Sequence, residues 1–180
     1  NINKKDLINY IEGWENVNLI VLGDTIVDEY TACEAMGMSA EAPVIVVREL
    51  ESKSYLGAAS IVASHIKSLG AKCSLISVVG DDPTANLVRQ DLKKINIIDG
   101  LIIDKSRPTT FKKRYVVENQ KLFRVSRLED SNVDKDIENK IIEKLEIMAP
   151  KSNGIVLSDF VYGVITEKIL KTVYKLAQKY

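Results

Sequence analysis

The run Leu19-Ile20-Val21-Leu22, closing at Gly23-Asp24, leaves this chain few choices of fold. Consecutive apolar residues offer no solvent face, so they read as a strand buried on both sides, as in a parallel sheet covered by helices. Ligands collect at the ends of such strands. The alternation continues. Residues 58–69 place Ile61, Val62, His65, Ile66 and Leu69 on one stripe before Gly70, which predicts a core-facing helix with a glycine stop. Residues 73–79 read as a strand, and Asp82-Pro83 supplies an N-cap and a first-turn proline for a helix bearing Leu87, Leu92 and Ile95. A short strand near 101–103 follows. Then come a helix marked by Ile137, Ile141, Leu145 and Met148, a strand at 154–158, and a last helix with Ile165, Ile169, Val173 and Leu176, opened by Thr166. Strands alternating with helices predict an α/β fold whose sheet is mainly parallel.

Two stretches break the alternation. Residues 42–55, with Val44-Ile45-Val46-Val47, and residues 109–128, turning at Glu118-Asn119-Gln120, read as extended segments outside the main sheet, a small β lid inserted into the domain. The segment between Asp24 and Pro43 is rich in small residues and reads as a loop. Near the start, Leu7, Ile11 and Trp14 recur at helical spacing, which predicts a short amphipathic helix laid onto the body.

Composition narrows the function classes. The 25 basic and 25 acidic residues cancel, so no overall field favours nucleic acid or an anionic membrane. Cys33 and Cys73 form neither a CxxC pair nor a metal cluster with the single histidine, which fits a reducing cytoplasm. Lys4, Lys5, Asp6 and Glu12 interrupt the first residues as a signal peptide would not, and no apolar run reaches transmembrane length. Neither a phosphate-binding glycine loop ending in Lys-Ser or Lys-Thr nor a GxGxxG after the first strand is present. His65, on the predicted apolar stripe, reads as a packed core residue rather than a catalyst.

Five stretches, in order, carry a resemblance. They are Val21-Leu22-Gly23-Asp24 continuing to Asp28; Ser39-Ala40-Glu41-Ala42-Pro43-Val44; and Gly57-Ala58-Ala59 through Ser68-Leu69-Gly70-Ala71 to Val79-Gly80-Asp81-Asp82. Arg107-Pro108-Thr109-Thr110-Phe111-Lys112-Lys113-Arg114, running on to Asn119-Gln120-Lys121-Leu122, is the fourth, and Leu157-Ser158-Asp159-Phe160-Val161-Tyr162-Gly163 the fifth. Together they resemble the heptose-7-phosphate kinase branch of the ribokinase (PfkB) carbohydrate kinases. The resemblance implies a ribokinase-like fold with a β lid, and it makes residues 1–180 the N-terminal portion of one kinase domain. It implies that Asp28 binds sugar hydroxyls, that Asp24, Gly57 and Asp159 belong to the acceptor site, and that Lys112 and Arg114 reach a sugar phosphate. A carboxylate at a strand end suits the first role, since it accepts hydroxyl hydrogen bonds from a polyol; a loop carboxylate capping a turn is the plainer reading of Asp28. Lys112 and Arg114 share a face at period two, as a phosphate clamp requires and as an edge strand charged against aggregation also requires.

The chain departs from the family pattern at three positions. Ala58 stands where a second glycine is expected, Ile61 where an asparagine contacts the sugar, and Tyr162 where a lysine is usual. The family's Gly-Ala-Gly-Asp turn, which carries the catalytic base, and its Asn-x-x-Glu motif are not found among these residues in the expected place. Gly80-Asp81-Asp82 reads as a helix cap instead. The expectation is the acceptor and lid portion of a kinase that uses ATP and Mg2+ in its complete form, inactive alone, with no catalytic residue and no metal site of its own, and with lid strands that pair two subunits. A histidine-rich loop, needed by the nucleotidyltransferase domain often fused to such kinases, is missing. The alternative is a non-catalytic sugar-binding or regulatory module on a degenerate kinase fold.

Overall fold

A computed structural model of the chain describes residues 3–180. The elements in order are α1 (Lys4–Glu12), β1 (Asn18–Gly23), β2 (Thr25–Met38), β3 (Ile45–Ala58), α2 (Ala59–Ser68), β4 (Lys72–Ile76), β5 (Val78–Val79), α3 (Pro83–Lys94), β6 (Ile98–Asp99), β7 (Ile102–Ile103), β8 (Phe111–Val117), β9 (Gln120–Arg127), α4 (Lys135–Met148), β10 (Gly154–Ser158) and α5 (Glu167–Lys179). The central sheet has the order β10-β1-β4-β6 and all its pairs are parallel. β5 and β7 pair in parallel as a separate short ladder.

β1 shows why the apolar run forms a strand here. Ile20 and Leu22 point to the side of α4 and α5, among Ile137, Ile141, Leu145 and Ile169. Val21 points to the other side, among Ala63 of α2, Leu75 of β4 and Val88 and Leu92 of α3. Both faces are sealed, as a parallel sheet requires. The helix starts follow their caps: Asp82, Asp134 and Thr166 each accept a backbone N–H from the residue three ahead.

The second sheet is the lid, in the order β3-β2-β8-β9. β2 runs antiparallel to β3 and parallel to β8, while β8 and β9 form a hairpin through Glu118 and Asn119. The α/β class and the lid therefore stand as expected, but the lid is larger than predicted. The segment after Asp24, read as a loop, is the 14-residue strand β2. Its small residues misled because a sheet exposed on much of its surface has little need of large apolar side chains; Thr25, Ile26, Val27, Tyr30 and Thr31 carry the β preference instead. The predicted strand at 73–79 divides into β4 and β5, and between them Ser77 turns its hydroxyl onto the Gly23 carbonyl at 2.6 Å.

Two predictions about helix faces fail. α2 buries Ala59, Ser60, Ala63 and Ile66, so of the predicted stripe only Ile66, with Val62 packed partly beside it, turns inward, and Ile61, His65 and Leu69 do not. His65 is exposed and is not a core residue; Ile61 and Leu69 also face outward. The first turns of the helix lie close to β1, β3 and β4, so the inner face there takes Ala59, Ser60 and Ala63, and a larger side chain enters only further along, at Ile66. α1 is capped by Asn3 and Asp6 in a reciprocal box, yet it buries no residue: Leu7, Ile8, Tyr10 and Ile11 are all exposed. Only Trp14, in the turn that follows, rests against the core. No helix among the described residues is long and apolar enough to cross a membrane.

Candidate acceptor site

The site forms where the end of β1 meets the root of the lid. The chain leaves the central sheet at Gly23, where a Cβ would collide with the Ser158 carbonyl, so only glycine lets β1 and β10 lie this close at their ends. Asp24 follows and is fully buried. Its Oδ2 accepts the N–H groups of Phe160 at 2.7 Å and Tyr162 at 3.3 Å, and its Oδ1 accepts that of Val164 at 3.3 Å. Burial pushes this carboxyl above its ordinary range, the three donors pull it back, and the nearby charge of Asp159 adds to the rise. Its main-chain carbonyl accepts the Ala59 N–H at 2.9 Å. Asp24 thus ties together strand end, lid root and the loop after β10. Its carboxylate holds protein donors instead of facing a ligand.

Four residues further on, Asp28 does face outward. It lies on β2 opposite Lys112 of β8, and its Oδ1 pairs with the Arg114 guanidinium. Gly57 on β3 makes room for it, since a Cβ there would meet the Asp28 Oδ2 at 2.5 Å. Asp28, Gly57 and Arg114 are therefore brought together. Lys112 joins them on the same face of the sheet: its side chain is 9% exposed, and its ammonium sits 4.9 Å from the centre of the Tyr162 ring. Among the described residues it has neither a hydrogen-bond nor an ion-pair partner. Its neighbour Lys113, on the opposite face, is held by two carboxylates, Glu29 at 3.3 Å and Glu49 at 3.2 Å. Asp159 stands apart: it is exposed, and its Oδ1 accepts the Val161 N–H at 2.8 Å within its own loop.

The supporting clamp was not read from the sequence. Arg107 and Asp104 form a buried ion pair at 2.8 Å, and Arg107 also donates to the carbonyls of Ser131 at 3.2 Å and Tyr162 at 3.3 Å. Asp82 does more than cap α3, since its Oδ2 accepts the Thr109 N–H at 2.8 Å. Burial would raise its carboxyl, but the donors from Thr109 and Ala85 outweigh that and hold it below its ordinary range. These residues fix the root of β8, and so the depth of Lys112. The i,i+3 spacing of Asp104 and Arg107 is a signal too short and too common to be selected from sequence alone.

Chemically, the arrangement joins an outward carboxylate, which accepts hydroxyls, to a guanidinium and an ammonium, which bind anionic oxygen. Among the described residues no three acidic, histidine or cysteine side chains converge as a divalent-cation site would require. No magnesium-dependent step is assigned to them.

Asp28, Lys112 and Arg114 thus set one carboxylate and two cations on one face of the lid sheet, near its root. Residues 17–179 match the pfkB family of carbohydrate kinases, and the chain belongs to that family. It is 34% identical over 160 residues to the bifunctional protein HldE of Campylobacter jejuni strain RM1221, covering 89% of this chain and 33% of that protein. Against the HldE protein of Geobacter sulfurreducens the identity is 32%, over 91% of this chain and 34% of that one. Among solved structures, phosphofructokinase-2 from Escherichia coli in complex with fructose-6-phosphate superposes with a TM-score of 0.67 at 17% identity, over 91% of this chain and 52% of that one. A phosphofructokinase-like protein from Staphylococcus aureus gives 0.70 at 10% identity, over 91% of this chain and 50% of that one. The chain spans about a third of the length of these curated relatives and about half that of the solved structures.

Proposed function

We propose that residues 1–180 form the acceptor-binding and lid portion of a kinase that phosphorylates a heptose 7-phosphate or a closely similar sugar phosphate. One observation carries the reading: the outward Asp28, paired with Arg114 and seated over Gly57, beside the buried residue Lys112, whose ammonium lies over the Tyr162 ring. Asp28 accepts sugar hydroxyls, and Lys112 with Arg114 takes the anionic end. The similarity to HldE supports the sugar class. Asp24 serves the site as a positioning residue through the loop that carries Tyr162, while Asp159 holds only its own loop by accepting the Val161 N–H.

In the complete enzyme ATP and Mg2+ supply the phosphoryl group and its charge neutralisation. The catalytic base and the nucleotide site belong to parts of the family fold that these residues do not include. The long ribbon of β2 and β3, which leaves Met36, Met38, Ile45 and Leu50 exposed, suits pairing with the lid of a second subunit. Two free, buried cysteines suit a cytoplasmic setting.

Calorimetric titration tests this. Heptose 7-phosphate should bind the chain, an ATP analogue with Mg2+ should not, and Asp28→Ala should weaken the sugar phosphate by about 10- to 100-fold, the range of a hydrogen bond to a charged group. Retained affinity in that variant would remove Asp28 from the site. A second reading, a non-catalytic module, is favoured by Tyr162 occupying the Lys112 side chain and by Ile61 lying partly in solvent on the outer side of α2. It predicts that a longer form carrying the downstream motifs binds the sugar phosphate without turning over ATP.

A further inference from the structure

The lid face that bears Asp28 and Arg114 does not stop at them. Tyr30 lies opposite Arg114 in the β2–β8 register, and Tyr55 lies opposite Asp28 in the β2–β3 register, so period-two alternation places all four side chains on one face. The Arg114 guanidinium sits 5.2 Å from the Tyr30 ring centre, and the two tyrosine rings meet edge to face at 6.1 Å. Both rings remain open to solvent, 37% for Tyr30 and 52% for Tyr55. Beyond them lies a groove of about 400 Å³ lined by Tyr30, Ala32, Glu51, Lys53, Tyr55 and Val116. Its floor is apolar and its rim carries the Lys53–Glu51 pair at 3.3 Å.

We propose that Tyr30 and Tyr55 form an aromatic subsite that receives the carbons of the acceptor lying beyond the Asp28–Arg114 pair, and so select for acceptor length. The inference rests on the acceptor-site reading above and adds to it a specificity determinant. From Asp28 to Ala32 the face extends about 13 Å at about 3.3 Å per residue, longer than a five-carbon sugar phosphate needs. The volume lies within the range of small-molecule pockets, and such pockets combine apolar and aromatic walls with a few fixed polar groups. Here Asp28 and Arg114 supply the polar groups, and the tyrosine faces supply surface for the C–H side of a polyol or sugar ring. Tyr30 is pre-set for this work because Arg114, itself held by Asp28, fixes its ring.

The test is titration of the chain with ribose 5-phosphate, fructose 6-phosphate and sedoheptulose 7-phosphate, in the wild type and in Tyr30→Leu/Tyr55→Leu, Tyr30→Phe/Tyr55→Phe and Asp28→Ala. The double leucine variant should lose about tenfold in affinity for the seven-carbon ligand, as two lost ring contacts imply, and less than about twofold for the five-carbon one. The phenylalanine pair, which keeps the ring faces, should retain the length preference and certify that the fold is intact. Equal losses for all three ligands, or none, would overturn the subsite while leaving the acceptor reading standing through Asp28→Ala. If the tyrosine variants change only the sedimentation of the protein, the groove belongs to a lid pair and the subsite is wrong. Should no sugar phosphate bind the wild type, both the subsite and the acceptor reading fall.

Discussion

The two sheets of this molecule solve opposite problems. The central sheet hides its middle strands, β1 and β4, under helices on both faces and carries no outward charge there: Val21, Leu22 and Leu75 have no exposed surface. The lid sheet packs against a helix only at its root, where Val27 meets α2, and further out its stability comes from ladder hydrogen bonds, the Tyr115–Phe123 stack at 4.7 Å and the Glu29–Lys113–Glu49 cluster. What this difference teaches is where selection for packing ends and selection for chemistry begins. Inside the lid the same division recurs across one strand: Lys113 on one face is satisfied by carboxylates, while Lys112 on the other has an aromatic ring and no acceptor among the described residues.

The largest expected effect breaks the comparison at its strongest point. Leu75→Ala, in the core between β1 and α3, should cost about 2–5 kcal/mol, because the close-packed site cannot collapse around the lost volume. The same change at Leu50, 61% exposed on the lid, should cost less than about 0.5 kcal/mol. Chemical denaturation midpoints measure both. A Leu50→Ala cost near that of Leu75→Ala, dependent on protein concentration, would show the lid buried against a second copy.

A smaller effect separates the two lysines. Lys112→Ala should weaken sugar phosphate binding by about 10- to 100-fold, since it removes a charge-assisted contact with the ligand, and should cost about 0.5–1 kcal/mol of stability with the lost contact to the Tyr162 ring. Lys113→Ala should leave affinity unchanged and lower stability by about 1 kcal/mol, because Glu29, left with only the Ser54 hydroxyl, and Glu49 lose the cation between them. Parallel titration and thermal unfolding of the two variants give the answer. Equal behaviour would mean that the faces of β8 are not functionally distinct.

Legibility from sequence follows the same divide. Where burial decides conformation, the pattern is written in residue types: the continuous run of β1, the Asp82 and Thr166 caps and the Ile137-Ile141-Leu145 face all stand in the structure as read. Where close approach or partial exposure decides, it is not. α2 turns alanines inward because the sheet is near, so a reading by hydrophobicity placed Ile66 correctly but put Ile61, His65 and Leu69 on the wrong side. β2 is half in solvent, so its small and polar residues looked like a loop. At the site, the resemblance singled out Asp28, Gly57, Lys112 and Arg114, and the fold brings these four together. It could not distinguish Asp24, whose carboxylate is taken up by three backbone donors, from an outward-facing aspartate. Only the path of the chain after β10 makes that difference.

The junction between the sheets supplies the smallest effect, read best against a neighbouring alanine. Ala58 ends β3 and precedes α2 with φ 52 and ψ −127, a conformation that glycine reaches freely and alanine does not. The surroundings hold it there, since the Ala59 N–H must reach the Asp24 carbonyl and the side chain is 6% exposed. Relieving such strain is worth about 1–3 kcal/mol. Against it stand the greater freedom that glycine has in the unfolded chain, about 0.5–1 kcal/mol, and one buried methyl, about 0.8 kcal/mol. Ala58→Gly should therefore change stability by between about −0.8 and +1.7 kcal/mol, centred on a gain of about 0.5 kcal/mol. Ala63→Gly, the same substitution one helical turn into α2 at a fully buried position with ordinary helical geometry, has no strain to relieve and should lower stability by about 1 kcal/mol or more. Unfolding midpoints of the two variants, taken side by side, decide whether the lid root is held under strain. If Ala58→Gly costs as much as Ala63→Gly, the junction is an ordinary packed position, and its departure from the family's glycine carries no mechanical consequence for the lid.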